Sequence, residues 1–189
     1  MKNLVIANYR SGGFTLHDML LEKYNCYTFK EIFFNVDNVN NKLDEYNNNE
    51  NCIAKLCPTQ IKGNDRKILT TCYKLCEMAD NINYIQREGT MEQVISFAVA
   101  NKQFAHKDIS PWLSDRQLYN EQLTDQDLDI SFNGLYRNHM FIKELYSKYK
   151  GKVYTLEKDL DYNPYPNKYI YKGDWQLPHK FPMLGESIG

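Results

Sequence analysis

Residues 3–20, NLVIANYRSGGFTLHDML, decide the fold. The apolar run Leu4–Ala7, bounded by turn signals, predicts a buried strand over residues 3–8, and Phe14, Leu16, Met19, Leu20 and Leu21 recur at helical spacing and predict a helix from Phe14 to Lys23. Between them stands the chain's one Gly-Gly pair, Gly12-Gly13, preceded by Arg10 and Ser11. Such a pair has two readings. One is a turn that needs positive φ or close backbone approach. The other is a cradle that brings an anion's oxygens onto the unpaired N–H groups of a helix start, where the partial positive charge of the helix also favours them.

The same strand-then-helix pattern repeats downstream. CIAKLC (Cys52–Cys57) predicts a second buried strand stopped by Pro58, followed by an amphipathic helix over Asp65–Met78 through Ile68, Leu69, Cys72, Leu75 and Cys76. INYI (Ile82–Ile85) predicts a third strand, and Thr90 is placed to cap a helix running to Gln103 with Met91, Val94, Ile95, Ala98 and Val99 inward. Thr124 and Asp127 start a long helix with the seam Leu128, Leu135, Ile142 and Tyr149, ended by Gly151, and KVYTL (Lys152–Leu156) predicts a fourth strand. Tyr27–Phe34 is aromatic and expected to be extended near its end. Residues 35–50 are Asn-rich and are expected to form a polar loop, and residues 157–189 are Pro-, Tyr- and Gly-rich and are expected to be mostly loop.

Alternating strands and helices with β-branched-rich strands imply an α/β fold of three layers, α/β/α, around a central, mostly parallel sheet, with ligands at the carboxyl ends of the strands. With right-handed crossovers, the helix starts near Gly12-Gly13 and near Arg87–Thr90 open on one sheet edge, an arrangement suited to a ligand with two separated phosphates.

Length and charge narrow the class. A chain of 189 residues predicts a single domain over 1–189, and 23 basic against 24 acidic residues argue against a general nucleic-acid binder while leaving room for a local basic pocket. The N-terminal apolar run is too short for a signal-peptide core and no segment is long enough to span a bilayer, so a cytoplasmic location is expected. The 5 cysteines form no C-x-x-C pair and sit mostly in apolar periodic segments, as reduced core thiols do. Cys72 and Cys76 lie one turn apart, but no His follows at zinc-site spacing, and no metal is expected.

The first loop lacks the G-x-x-x-x-G-K-[ST] pattern of nucleotide kinases, since no Lys follows the glycines and the basic residue precedes them. YRSGGFTL instead resembles the RSGSTLL or KSGTTWL loop of the sulfotransferases that use 3′-phosphoadenosine 5′-phosphosulfate (PAPS), with Arg10, Ser11, Gly12 and Thr15 as matches and Gly13-Phe14 where Ser/Thr pairs are usual. YIQREGTMEQVISF resembles that family's 3′-phosphate motif in the style of its bacterial carbohydrate-sulfating branch, with Arg87 at the strand end and Ser96 on the next helix. YKGDW (171–175) is similar to the family's C-terminal basic loop and offers Lys172.

The resemblance implies transfer of a sulfuryl group from PAPS to a hydroxyl or amine of a small-molecule or carbohydrate acceptor, with no metal required. It implies donor binding by Arg10, by the backbone of Ser11, Gly12, Gly13, Phe14 and Thr15, and by Arg87, Ser96 and Lys172. For the base, AKLCP has Leu56 where some relatives carry His, whereas KEIFF resembles the Gly-Glu-Phe-Phe segment of others and makes Glu31 the candidate. His17, one turn past the loop, is the competing base, and Lys55 is placed to reach the transferred oxygens. Two alternatives stand beside this one: a nucleotide-dependent kinase with a divergent phosphate loop, and a nucleotide-binding module without turnover.

Overall fold

A computed structural model describes residues 1–105, 123–160 and 173–185. Among the described residues the elements in chain order are β1 (Lys2–Ala7), α1 (Gly13–Tyr24), β2 (Tyr27–Phe29), α2 (Val39–Asn48), β3 (Cys52–Leu56), α3 (Asp65–Met78), β4 (Asn81–Gln86), α4 (Thr90–Ala105), α5 (Asp125–Lys148), β5 (Lys152–Thr155) and α6 (Leu156–Asp159), with a 3-10 turn at Pro58–Gln60. The strands form one five-stranded sheet in the order β2-β3-β1-β4-β5, and every described pairing is parallel. The expected α/β sandwich is therefore the observed one.

Alternation along β1 splits the core into two layers. Leu4 and Ile6 face α3, the second half of α5 and the buried residues of α2, while Val5 and Ala7 face Leu16 and Leu20 of α1 together with Leu156 and Leu160. Fully burying each such side chain contributes roughly 1.5–3 kcal/mol, which is why a strand covered on both faces reads as an unbroken apolar run. A third cluster joins Val94 and Ala98 of α4, Leu128, Phe132 and Leu135 of α5, and Trp175 and Phe181 of the C-terminal segment.

The topology fixes where a ligand can sit. From β1 the chain moves out to β2, returns to β3 beside β1, and then crosses to β4 on the other flank of β1. Crossovers that leave β1 and β4 in opposite directions open a crevice outside the carboxyl ends of those strands. The register pairs Ala7 with Ile85 and Val5 with Lys55, so the loops after Ala7 and Gln86 start side by side, and Lys55 reaches the same edge from β3.

Several expectations are corrected. Residues 35–50 are not a loop: Asn38 caps α2 by accepting from the N–H groups of Asn40 and Asn41, and Leu43 and Tyr46, three residues apart, bury into the core while the asparagines face outward. The extended part of Tyr27–Phe34 lies at its beginning, as β2. Ile32 donates its N–H to the Lys55 carbonyl at 3.1 Å, and Asn35 at φ 53° completes a turn that sends Ile32 and Phe33 into the core. Thr90 is the first residue of α4, and its hydroxyl accepts from the Phe181 N–H at 3.3 Å. α5 ends at Lys148, before Gly151. Among the described residues no helix is long and apolar enough to cross a membrane.

Candidate functional site

The loop after β1 is held in shape from three sides. Asn8 is buried and donates to the Leu135 carbonyl at 3.0 Å. Its Oδ1 accepts from the Tyr9 N–H at 2.9 Å and from Asn138 Nδ2 at 3.0 Å. Asn138 in turn accepts both the N–H and the hydroxyl of Thr59 at 3.0 Å, so one buried amide pair ties β1, the turn after β3 and α5 together. Gln93 of α4 donates to the Tyr9 carbonyl at 2.5 Å, and Ser11 Oγ donates back to the Asn8 carbonyl at 2.7 Å. Within this frame Arg10 adopts φ 57°, a left-handed conformation that costs a residue with a Cβ about 1–2 kcal/mol.

Gly12 and Gly13 follow from close approach. Gly12 sits at φ 85°, and a Cβ there would strike Leu156. A Cβ at Gly13 would lie 2.6 Å from Ala7 Cβ and 3.0 Å from Lys55 Cε. Only a chain bare at both positions lets α1 start directly against β1 and β3. No side chain caps that start, and its first turn holds no acidic residue. An anion is therefore the natural complement to its N–H groups.

Arg87 directly follows β4, its side chain only 10 % exposed. It donates Nη1 to the Arg10 carbonyl at 3.3 Å and pairs through Nε with Glu157 at 3.3 Å, yet that buried Nε has no hydrogen-bond partner in proper geometry. From α4, Ser96 Oγ accepts from Arg10 Nε at 2.9 Å. The two segments singled out by their resemblance to phosphate motifs are therefore in direct contact.

On the other flank, Lys55 is 4 % exposed and donates Nζ to Glu31 Oε1 at 2.5 Å, while the same ammonium lies 3.6 Å from the centroid of the Phe14 ring. Burying an ion pair is a weak source of stability, because desolvation offsets most of the attraction, whereas removing one partner costs about 3–5 kcal/mol. Tyr9 stacks on Phe97 with centroids 4.9 Å apart, and burial, with Cys57 and Glu31 nearby, pushes its phenol well above the ordinary range. It stays neutral.

These side chains line one cavity of about 470 Å³, whose wall includes Arg10, Gly12, Gly13, Phe14, Thr15, Glu31, Lys55, Arg87 and Ser96. Nine of the expected site residues thus converge, although they come from five separate stretches of chain. Ser11 is not on this wall: it is buried, and its hydroxyl is turned back to the Asn8 carbonyl. His17 does not join: it is fully buried, its Nδ1 meets Asp18 at 2.9 Å and its Nε2 meets Thr28 at 2.9 Å, and burial lowers its pKa. Lys172 and the tyrosines Tyr162, Tyr165, Tyr169 and Tyr171 lie outside the described residues.

Sequence reasoning missed the rest of the wall: Asn8, Tyr9, Phe34, Gln60, Phe97, Ala100 and Asn101. Asn8 and Tyr9 adjoin Arg10 and were findable by adjacency. Phe34, Gln60 and Phe97 carry no local signal, because only the sheet order brings their segments together. All 5 cysteines are free, and burial pushes the thiol of Cys57 up to about 11 and that of Cys76 to about 12. Among the described residues no group of three or more His, Cys, Asp or Glu gathers as a metal site.

No family model matches the chain, and no curated protein matches its sequence.

Proposed function

We propose that the chain is a sulfotransferase that takes PAPS as donor and transfers the sulfuryl group to a hydroxyl or amine of a small-molecule or carbohydrate acceptor. One observation carries this reading: Arg10, Ser96, Arg87, Lys55, Glu31 and the bare Gly12-Gly13 turn face one cavity, with Arg10 bonded to Ser96 and Arg87 bonded to the Arg10 carbonyl. A donor carrying phosphate at both ends fits that set. The Gly13 cradle is closed to any Cβ, and Arg87 Nε keeps a buried N–H that an anion could accept.

The residues divide the work along the strand order. Arg87 and Ser96, at the β4 end, hold the 3′-phosphate by fork geometry and a neutral hydroxyl. The first-turn N–H groups of α1, Arg10 and Lys55 hold the 5′-phosphate, where charge grows as the reaction proceeds. Bound there, PAPS supplies an activated sulfuryl group on a good leaving phosphate. Glu31, beside β3, accepts the proton of the acceptor hydroxyl as the acceptor oxygen forms its bond to sulfur and the bond from sulfur to the 5′-phosphate oxygen breaks, its electron pair leaving with the phosphate. Phe14, Phe34 and Gln60 line the same cavity as Glu31, and in this reading they form the acceptor's wall.

Binding and turnover test the reading separately. 3′,5′-Bisphosphoadenosine is expected to raise the melting temperature by about 5 °C at saturating concentration, with ATP and Mg²⁺ giving no comparable shift. The reverse preference would favour a kinase. Release of labelled sulfate from PAPS onto an acceptor pool is expected for the native chain and abolished by Glu31→Gln. Binding without turnover by the native chain would leave a nucleotide-binding module.

A further inference from the structure

Lys55 faces two claims on one charge. Its ammonium is bonded to Glu31, it lies over the Phe14 ring, and its Cε abuts the place a Cβ on Gly13 would take, so it sits at the base of the anion cradle while paired to the candidate base. With Lys55 4 % exposed, solvent cannot serve as a third partner of comparable strength. We propose that Glu31 and the donor's 5′-phosphate end compete for Lys55, so that seating the donor draws the ammonium off Glu31 and only then frees the carboxylate to take the acceptor's proton.

This inference rests on the sulfotransferase reading and adds an order to it. While Lys55 holds Glu31, Oε1 is taken up by the ammonium instead of facing an acceptor hydroxyl. An anion at the first turn of α1 offers Lys55 a partner with more charge nearby, because the ammonium lies over the Phe14 ring and its Cε is 3.0 Å from where a Gly13 Cβ would stand. The swap needs a side-chain rotation only. Lys55 is in this sense a positioning residue toward Glu31 and a binding residue toward the donor.

The competition makes a prediction that a passive base does not. Losing the Glu31 charge releases Lys55 to the donor, so Glu31→Gln is expected to tighten binding of 3′,5′-bisphosphoadenosine by about tenfold in calorimetric titration, the scale of one charge-assisted hydrogen bond. In a Lys55→Met background the same substitution is expected to change affinity less than about twofold, because no shared ammonium remains. Equal tightening in both backgrounds, which general relief of negative charge would give, overturns the proposal, and so does no tightening in either.

Lys55→Met alone strands a buried carboxylate, so the double variant serves as the folded control. In the native chain the carboxyl ¹³C resonance of Glu31, assigned through Glu31→Asp, is expected to shift as bisphosphate is added, and a resonance that stays fixed at saturation overturns the proposal even if no variant folds. Failure of the underlying reading looks different. There the native chain prefers ATP with Mg²⁺ or binds neither nucleotide, and the proposal falls with it.

Discussion

At Gly13 one hydrogen in place of a methyl decides whether α1 can start where it does. The nearest neighbour a Cβ would meet, Ala7 Cβ at 2.6 Å, belongs to the central strand and cannot rotate away. Gly13→Ala is therefore expected to destabilise by about 1–3 kcal/mol, read as a lower urea midpoint, and to weaken bisphosphate binding beyond what the lost stability explains. The glycine pair was legible as a turn or a cradle from its place between a strand and a helix. The left-handed Arg10 beside it was not, since a basic residue carries no φ signature and its conformation is held by Asn8 of the same loop together with Gln93 of α4 and Arg87 after β4. Likewise the Lys55–Glu31 pair joins residues 24 apart that the sequence offered only as separate candidates.

Among the elements, α5 shows where local rules hold and where packing overrides them. Its start is a capping box, Thr124 with Asp127, and its seam of Leu128, Leu135 and Ile142 is buried as the spacing predicts. Gly134 sits on its exposed side, unbroken within the helix, and a Cβ there would meet only Phe97 Cε1 at an ordinary 3.5 Å. Gly134→Ala is expected to stabilise the chain by about 1 kcal/mol and raise the melting temperature by about 2–4 °C, checked by calorimetry. α3 was legible to its bounds from its five-residue apolar stripe, and the structure adds the Asn64 side chain, which caps it by accepting from the Lys67 N–H. α2 was illegible because asparagine is a weak helix former and only two of its side chains, Leu43 and Tyr46, reach the core. Its helix follows from a good cap and from docking against α3, which no window of sequence displays.

Across the whole molecule, α5 and the C-terminal segment close over the sheet through His139. Its ring stacks on Phe181 with centroids 5.4 Å apart, its Nε2 is buried without a partner, and burial first, then the Lys143 charge, lower its pKa to about 4 against a hydrogen bond at Pro182. The unfolded chain binds this proton near pH 6.5 and the folded chain only near 4. This group's contribution is therefore intact above pH 6.5 and is lost as the pH falls toward 4, by about 3 kcal/mol in all. Urea unfolding at pH 7 and pH 4.5 measures the loss, and His139→Phe, which keeps the stacked ring, is expected to reduce it.

The sheet's outline has its own consequence. Among the described residues its long strands are interior and its rims are β2 with three residues and β5 with four, so a neighbouring polypeptide finds only a few unpaired rungs at either of these margins. Runaway strand-by-strand stacking, the hazard of open parallel sheets, has little to grip, and crowding this protein should leave its backbone ladders closed to strangers.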